Sequence, residues 1–314
     1  MKKNKISIIV PCYNEAEALP TFYKELNHEF SNIDAELELI FVDDGSHDKT
    51  IELIKSYSLK DKRVNYISFS RNFGKEAAMY AGLEKASGDY IAIMDADMQD
   101  PPSMLSKMYE EIINNSYDVV ALYSPEHEDY SFIRRFFTKR YYKFISKISN
   151  TEQIPGARDF RLMKRNVVDA ILSMKEYNRY SKGIFSFVGF TTKWIKYKAP
   201  NRIAGKSKFS LFSLFKYGLE GVIAFSTKPL VVSAFIGILL CILSFLAILI
   251  IVIKTIVWGD PVAGWPSLAC IIIFMTGLQL FFIGIIGLYL AKIYLEVKER
   301  PIYIVKETEK DLKR

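Results

Sequence analysis

Two carboxylates spaced two residues apart, Asp95 and Asp97, follow the apolar run 90–94. Where a strand ends and turns, such a pair can face one cavity. Hard oxygen ligands of this kind suit Mg2+ or Mn2+, with further ligands from phosphate and water. A metal held there would neutralise a diphosphate leaving group. Alone, an Asp-x-Asp is also a common surface turn. A second cluster, Asp43-Asp44-Gly45-Ser46, closes the run 37–42. It reads equally as a turn in which Ser46 caps the following helix. The two clusters at strand ends of one sheet are more specific together than either is alone.

The elements that must position these groups are legible as alternation. Strand-like apolar runs at 6–10, 37–42, 64–69, 90–94 and 118–122 are separated by amphipathic stretches at 16–30, 49–58 and 75–86. This order predicts an α/β domain with a mainly parallel sheet and helical crossovers. Such sheets bind ligands beyond the carboxyl ends of their strands, where Asn14, Glu15, Asp43, Asp44, residues 70–75 and residues 95–100 fall. No G-x-G-x-x-G follows the first strand and no G-x-x-x-x-G-K-[ST] occurs, which disfavours a dinucleotide fold and a P-loop.

The chain has 314 residues and a formal net charge of +7, and its 50% hydrophobic and 25% charged content excludes a disordered or fibrous protein. Three cysteines without a C-x-x-C argue against a disulfide scaffold or a structural zinc site. Charge is unevenly spread: residues 1–125 carry 13 basic and 21 acidic side chains, residues 126–208 carry 19 and 7, and residues 209–314 carry 10 and 7. A basic middle third calls for an anionic partner such as phosphate or a lipid surface. Residues 230–253 and 267–291 lack charges altogether. At 1.5 Å per residue each run gives a helix of about 36 Å, enough to cross a hydrocarbon core. The short Trp-containing loop between them predicts a two-helix membrane hairpin. Lys228, Lys292, Lys298 and Arg300 at its outer ends, against Lys254 in the loop, place residues 1–227 and the tail 293–314 in the cytoplasm. The apolar run at the N-terminus is too short for a signal peptide. Residues 132–148 interleave Phe and Tyr with six cations, and residues 209–222 begin with an aromatic-rich stretch. Both read as helices in the headgroup plane, although a soluble amphipathic helix facing a core is the alternative for 132–148.

At this point the motifs are recognisable. Pro11-Cys12-Tyr13-Asn14-Glu15, Asp43-Asp44-Gly45-Ser46, Arg71-Asn72-Phe73-Gly74-Lys75 and Asp95-Ala96-Asp97-Met98-Gln99-Asp100-Pro101-Pro102 resemble the family-2 inverting glycosyltransferases of type A fold. Gly156-Ala157-Arg158-Asp159-Phe160-Arg161-Leu162, Arg202-Ile203-Ala204-Gly205-Lys206-Ser207-Lys208 and the terminal hairpin resemble the polyprenyl-phosphate branch. That branch includes bactoprenol glucosyltransferases and, more distantly, dolichol-phosphate mannose synthases. The resemblance implies a Rossmann-like type A domain. It implies transfer of a sugar, glucose first among candidates, from a UDP-sugar to undecaprenyl phosphate at the cytoplasmic membrane face, for modification of a cell-envelope glycan. N-acetylglucosamine, galactose and mannose stay open as the sugar, and a homo-oligomer is allowed.

The resemblance also implies roles. Pro11, Tyr13, Glu15 and Asp43 would hold the uridine, with turn packing as the alternative for Pro11 and Tyr13. Asp95, Asp97 and Gln99 would bind Mg2+ or Mn2+, and Asp95 can instead serve the ribose. Lys75 would approach the nucleotide, although a lysine opening a helix is more often solvated. Arg202, Ser207 and Lys208 would grip the diphosphate, with nonspecific headgroup binding as the alternative. Arg134, Arg135 and Thr138 would hold the acceptor phosphate. Relatives often carry an arginine after the fifth strand where this chain has Tyr123-Ser124-Pro125, so that Arg140 is a substitute. Asp159 matches the catalytic-loop aspartate. Because a phosphate monoester is already mostly dianionic at pH 7 (second pKa ~6), Asp159 can orient a cation such as Arg158 rather than act as a base.

Three other readings are weaker. A processive polysaccharide synthase needs a Q-x-x-R-W element and usually more spans. An inactive membrane scaffold does not need the Asp95, Asp97, Arg202 and Lys208 set. The acidic first 125 residues and the hairpin disfavour nucleic acid as a partner.

Overall fold

The computed structural model describes residues 3–124, 154, 156–197, 228–258 and 264–313. The chain divides into two units, residues 1–214 with 300–314, and residues 215–299. In the first unit, β1 (Lys5–Cys12), α1 (Leu19–Phe30), β2 (Glu36–Asp43), α2 (Thr50–Lys60), β3 (Val64–Phe69), α3 (Lys75–Lys85) and β4 (Tyr90–Ile93) alternate as predicted. They are followed by α4 (Met104–Asn114), β5 (Val119–Tyr123), β6 (Ala157–Lys164), α5 (Arg165–Ser173), α6 (Ser181–Phe187) and β7 (Thr192–Lys196).

One sheet of eight strands results, in the order β7-β5-β6-β4-β1-β2-β3-β8. Its centre is parallel: β1 pairs with β2 and β4, and β2 with β3. Ile6, Ile8, Ile9 and Val10 of β1 are all fully buried, the near-continuous apolar run of a strand covered on both faces. In α1, Leu19, Phe22, Leu26 and Phe30 recur at helical spacing and bury one stripe. Helix α3 instead buries Ala77 through Leu83 without a break. Its small residues let the backbone lie against the sheet: a Cβ on Gly82 would stand 2.2 Å from a methyl carbon of Ile9. Strand β6 was not legible as a strand because three cations interrupt it. It runs antiparallel between β4 and β5, so that Asp159 stands on a strand and not in a loop.

The second unit contains α7 (Lys228–Trp258) and α8 (Trp265–Val297), both longer than the apolar runs alone predict. Val231, Phe235, Ile250, Phe274 and Leu280 are each more than 60% exposed. Lipid tolerates such an apolar exterior where water does not. The segments 132–148 and 209–222 lie outside the described residues.

The tail contains an element that the sequence reading did not assign. Beyond α8, β8 (Val305–Thr308) adds to the sheet as an antiparallel neighbour of β3, so that part of 293–314 is an edge strand of the first unit.

A polar knot at the far ends of α1 and α2 fixes how these helices meet the sheet. Asp61 accepts bonds from Tyr23 Oη (2.9 Å) and from Arg63 Nε and Nη2, and Arg63 also donates to Asn27 Oδ1 at 2.7 Å. Tyr23 and Tyr57 stack beside it with ring centroids 4.3 Å apart. The bonds from Arg63 outweigh burial and pull the Asp61 carboxyl down to about 2. A depressed carboxylate stabilises the fold above its unfolded pKa, and that contribution is lost as pH falls through the folded value. Asp61→Asn is therefore expected to destabilise the protein by about 1–2 kcal/mol at neutral pH. Thermal melts against pH are expected to bring mutant and wild type together between pH ~4 and ~2.

Candidate active site

The carboxyl ends of β1 and β2 are fastened to each other by their own loops. Asn14 N donates to Ser46 Oγ (3.0 Å), Glu15 N to Thr50 Oγ1 (2.9 Å), Ala16 N to Asp48 Oδ2 (3.2 Å), and His47 N to Asn14 Oδ1 (2.9 Å). Asn14 adopts a left-handed φ of 56° to allow this. Ser46 does not cap α2, which starts without a side-chain cap; Asp48 just before it accepts from Thr50 N at 3.0 Å. Asp43 is 2% exposed and accepts from Ser46 N and Ser68 Oγ. Pro11 is the penultimate residue of β1 and is half-buried, and the Tyr13 ring meets His47 edge-on at 6.5 Å.

Asp44 organises the next loop. Its two oxygens accept from Phe73 N (2.6 Å) and Gly74 N (2.9 Å). Burial pushes its carboxyl up against those two bonds. Gly45 is required between them: its φ is 67°, and a Cβ there would stand 2.5 Å from the carbonyl carbon of Arg71. The loop delivers Lys75 as the first residue of α3.

Lys75 is the centre of the site. Its Nζ lies 2.7 Å from Asp95 Oδ1 and 2.6 Å from Asp159 Oδ2, joining the end of β4 to β6. Burial disfavours its charge, but Asp95 and Asp159 overcome this and raise its pKa. Burial likewise pushes Asp159 up, yet Lys75, with Lys182 and Arg161, holds it well below the usual carboxylate range. Asp95 is raised, by burial and then by Asp159 and Asp97 acting against Lys75. Asp159 is thus a fixed anion at any physiological pH. The cation it orients is Lys75; Arg158 instead points Nη1 at Gln99 Oε1 (3.4 Å) and Nε at Asp100 (3.9 Å).

The acidic segment after β4 turns sharply. Met98 has φ 61°, a strained value for a side chain of its size, and Gln99 N donates to Asp97 Oδ1 at 3.1 Å. Asp95 and Asp97 with the Gln99 carbonyl offer hard oxygens that fit Mg2+ or Mn2+ when phosphate and water complete the shell. Among the described residues no three His, Cys, Asp or Glu side chains gather as a ready-made metal cage. Arg134, Arg135, Thr138, Arg140, Arg202, Ser207 and Lys208 lie outside the described residues.

Several supporting residues were not assigned from sequence. Asp100, 1% exposed, accepts a short bond from Tyr197 Oη. Burial raises its carboxyl to about 6. Buried Arg161 lies under Asp159, donates to the Arg158 and Asp159 carbonyls, and stacks on Phe185 at 3.5 Å. Glu76 receives Ser181 N and Oγ and so joins α3 to α6. For Asp100 the signal was its place in the acidic segment 95–100.

Removing the shared cation should expose the mutual repulsion of its partners. Lys75→Met is expected to cost about 1–3 kcal/mol, less than a fully buried pair because the lysine is 42% exposed. Adding Asp159→Asn should restore most of that stability without restoring turnover. Melting curves of the single and double variants measure it.

Lys75 and the carboxylates around it fall within one family model. Residues 7–172 match the model described as "Glycosyl transferase family 2". The chain is 42% identical to a putative glycosyltransferase, CsbB, of Bacillus subtilis over 98% of this chain and 93% of that protein. It is 41% identical to the bactoprenol glucosyl transferase of Shigella phage SfII, over 98% and 99%. It is 40% identical to the prophage bactoprenol glucosyl transferase homolog of Escherichia coli K12, over 98% and 100%. The matched stretch takes in Asp43, Lys75, Asp95, Asp97 and Asp159 with the strands that place them, and the chain belongs to glycosyl transferase family 2.

Proposed function

We propose that this glycosyltransferase moves glucose from UDP-glucose to undecaprenyl phosphate at the cytoplasmic membrane face. The observation that carries this reading is identity of about 41% to bactoprenol glucosyl transferases over nearly the full chain, C-terminal apolar helices included. The lipid phosphate is the nucleophile. Its oxygen bonds to the anomeric carbon on the face opposite UDP, and the bond to UDP breaks with its electron pair on the diphosphate, inverting the centre. Asp159 removes no proton, because the phosphate is already largely dianionic. It fixes Lys75, whose ammonium lies between the end of β4 and β6 and faces the charge that grows on the leaving diphosphate.

Pro11, Tyr13, Glu15 and Asp43 are the proposed uridine wall. Arg202, Ser207 and Lys208 are assigned to the diphosphate, and Arg134, Arg135 and Thr138 to the acceptor phosphate. Asp95, Asp97 and the Gln99 carbonyl are the proposed ligands for Mg2+ or Mn2+, which when bound neutralises charge on the diphosphate. Asp97→Asn is expected to cut kcat/KM by two or more decades while the melting curve stays near wild type. Chelation should reproduce the loss, reversibly on return of metal. Full turnover in excess chelator would refute the metal assignment.

The edge strand β8 supports the hairpin. It pairs with β3, so residues 305–308 share a compartment with the first unit. The chain between them must then cross the membrane an even number of times, which α7 and α8 as two spans satisfy. A reporter fused after Arg314 is expected on the cytoplasmic side and a tag within 259–264 outside. A loop tag that labels only after permeabilisation would overturn this topology.

A further inference from the structure

The tail does more than return to the domain. Its Tyr303 ring stacks on Phe69 of β3 with centroids 4.8 Å apart and planes 20° from parallel. Phe69 meets Phe73 edge-on at 5.8 Å. The guanidinium of Arg71 covers the Phe73 ring at 4.0 Å. Phe73 lies two residues before Lys75, in the loop whose amides Asp44 holds. Tyr303 Oη donates to Glu84 Oε2 at 2.7 Å, in the last turn of α3, the helix that Lys75 opens. The strand behind Tyr303 is firmly seated. Ser70 N donates to Ile304 O (3.0 Å), Lys55 pairs with Glu307 (2.7 Å), and Glu309, 7% exposed, pairs with Lys85 (2.8 Å).

From these contacts we infer that Tyr303 is a positioning residue for the transfer: through Phe69 and Phe73 it fixes the loop that aims Lys75 at Asp95 and Asp159. One side of the loop is held by the Asp44 carboxylate and the other by this aromatic stack. Without the stack the loop keeps its hydrogen bonds but loses the packing that sets its position. Hydrogen bonds and packing supply separate constraints here, since Asp44 bonds only main-chain amides, whereas the rings bear on the Phe73 side chain.

The test uses the full chain in lipid nanodiscs with Tyr303→Ala and Tyr303→Phe. The first readout is the acylation rate of Lys75 by an amine-reactive ester, followed by mass spectrometry without substrate. Tyr303→Ala is expected to raise that rate about three- to tenfold, the range a lost aromatic pair commands. Tyr303→Phe, which keeps the ring, should stay within twofold of wild type. The second readout rests on the transferase reading: kcat/KM with UDP-glucose and undecaprenyl phosphate should fall by a similar factor in Tyr303→Ala and largely survive in Tyr303→Phe. Wild-type protein inactive with these substrates, with Lys75 labelling still altered, would overturn the transferase reading and sustain this one. Lys75 labelling unchanged in Tyr303→Ala, or changed equally in both variants, would overturn the inference. Should Tyr303→Ala fail to fold, Tyr303→Leu, which fills the space without a stacking ring, takes its place with the same expected rates.

Discussion

Two partly buried carboxylates, one just beyond β4 and one on β6, repel one another, and a lysine ammonium stands between them. Lys75 contacts Asp95 on one side and Asp159 on the other within 2.7 Å. Its place depends on the rest of the first unit. β4 and β6 must be adjacent for the two carboxylates to meet, and α3 must begin where the β3 loop ends. That loop must be held by Asp44, which in turn needs Gly45 to bring the backbone close to Arg71. The small-residue face of α3 then settles the helix on β1.

Satisfied and strained polar groups divide between the two ends of the sheet. At the end away from the candidate site, Glu38 is buried, but Lys5, Ser7 and Ser87 meet its oxygens, and its carboxyl is held low despite burial. At the carboxyl end, Asp95 and Asp100 are raised and Met98 is backbone-strained.

The C-terminal strand returns the chain from the apolar helices to the sheet of the first unit. Because β8 completes the edge at β3, the apolar helices are an insertion between two parts of one folded unit and not an appendage at its end. An edge strand also covers backbone groups that β3 would otherwise present to other chains.

Much of this was legible in the amino-acid sequence. The alternation of apolar runs determined the strands β1 to β5 and the first three helices, because burial on both faces of a parallel sheet demands near-continuous apolar runs. The strand-end carboxylates were identifiable as residue types, and two uncharged runs determined long lipid-compatible helices. The sequence could not show that Lys75 joins Asp95 to Asp159, since the three come from separate motifs and meet only through the order of strands. It could not show β6, whose cations hide a strand that the sheet buries, nor that Ser46 locks β1 to β2 instead of capping a helix. Nor could it show β8, four residues without an apolar pattern of their own. Local periodicity reports what each segment must bury. Which charged groups end up within 3 Å of each other is a property of long-range pairing, and only the assembled sheet decides it.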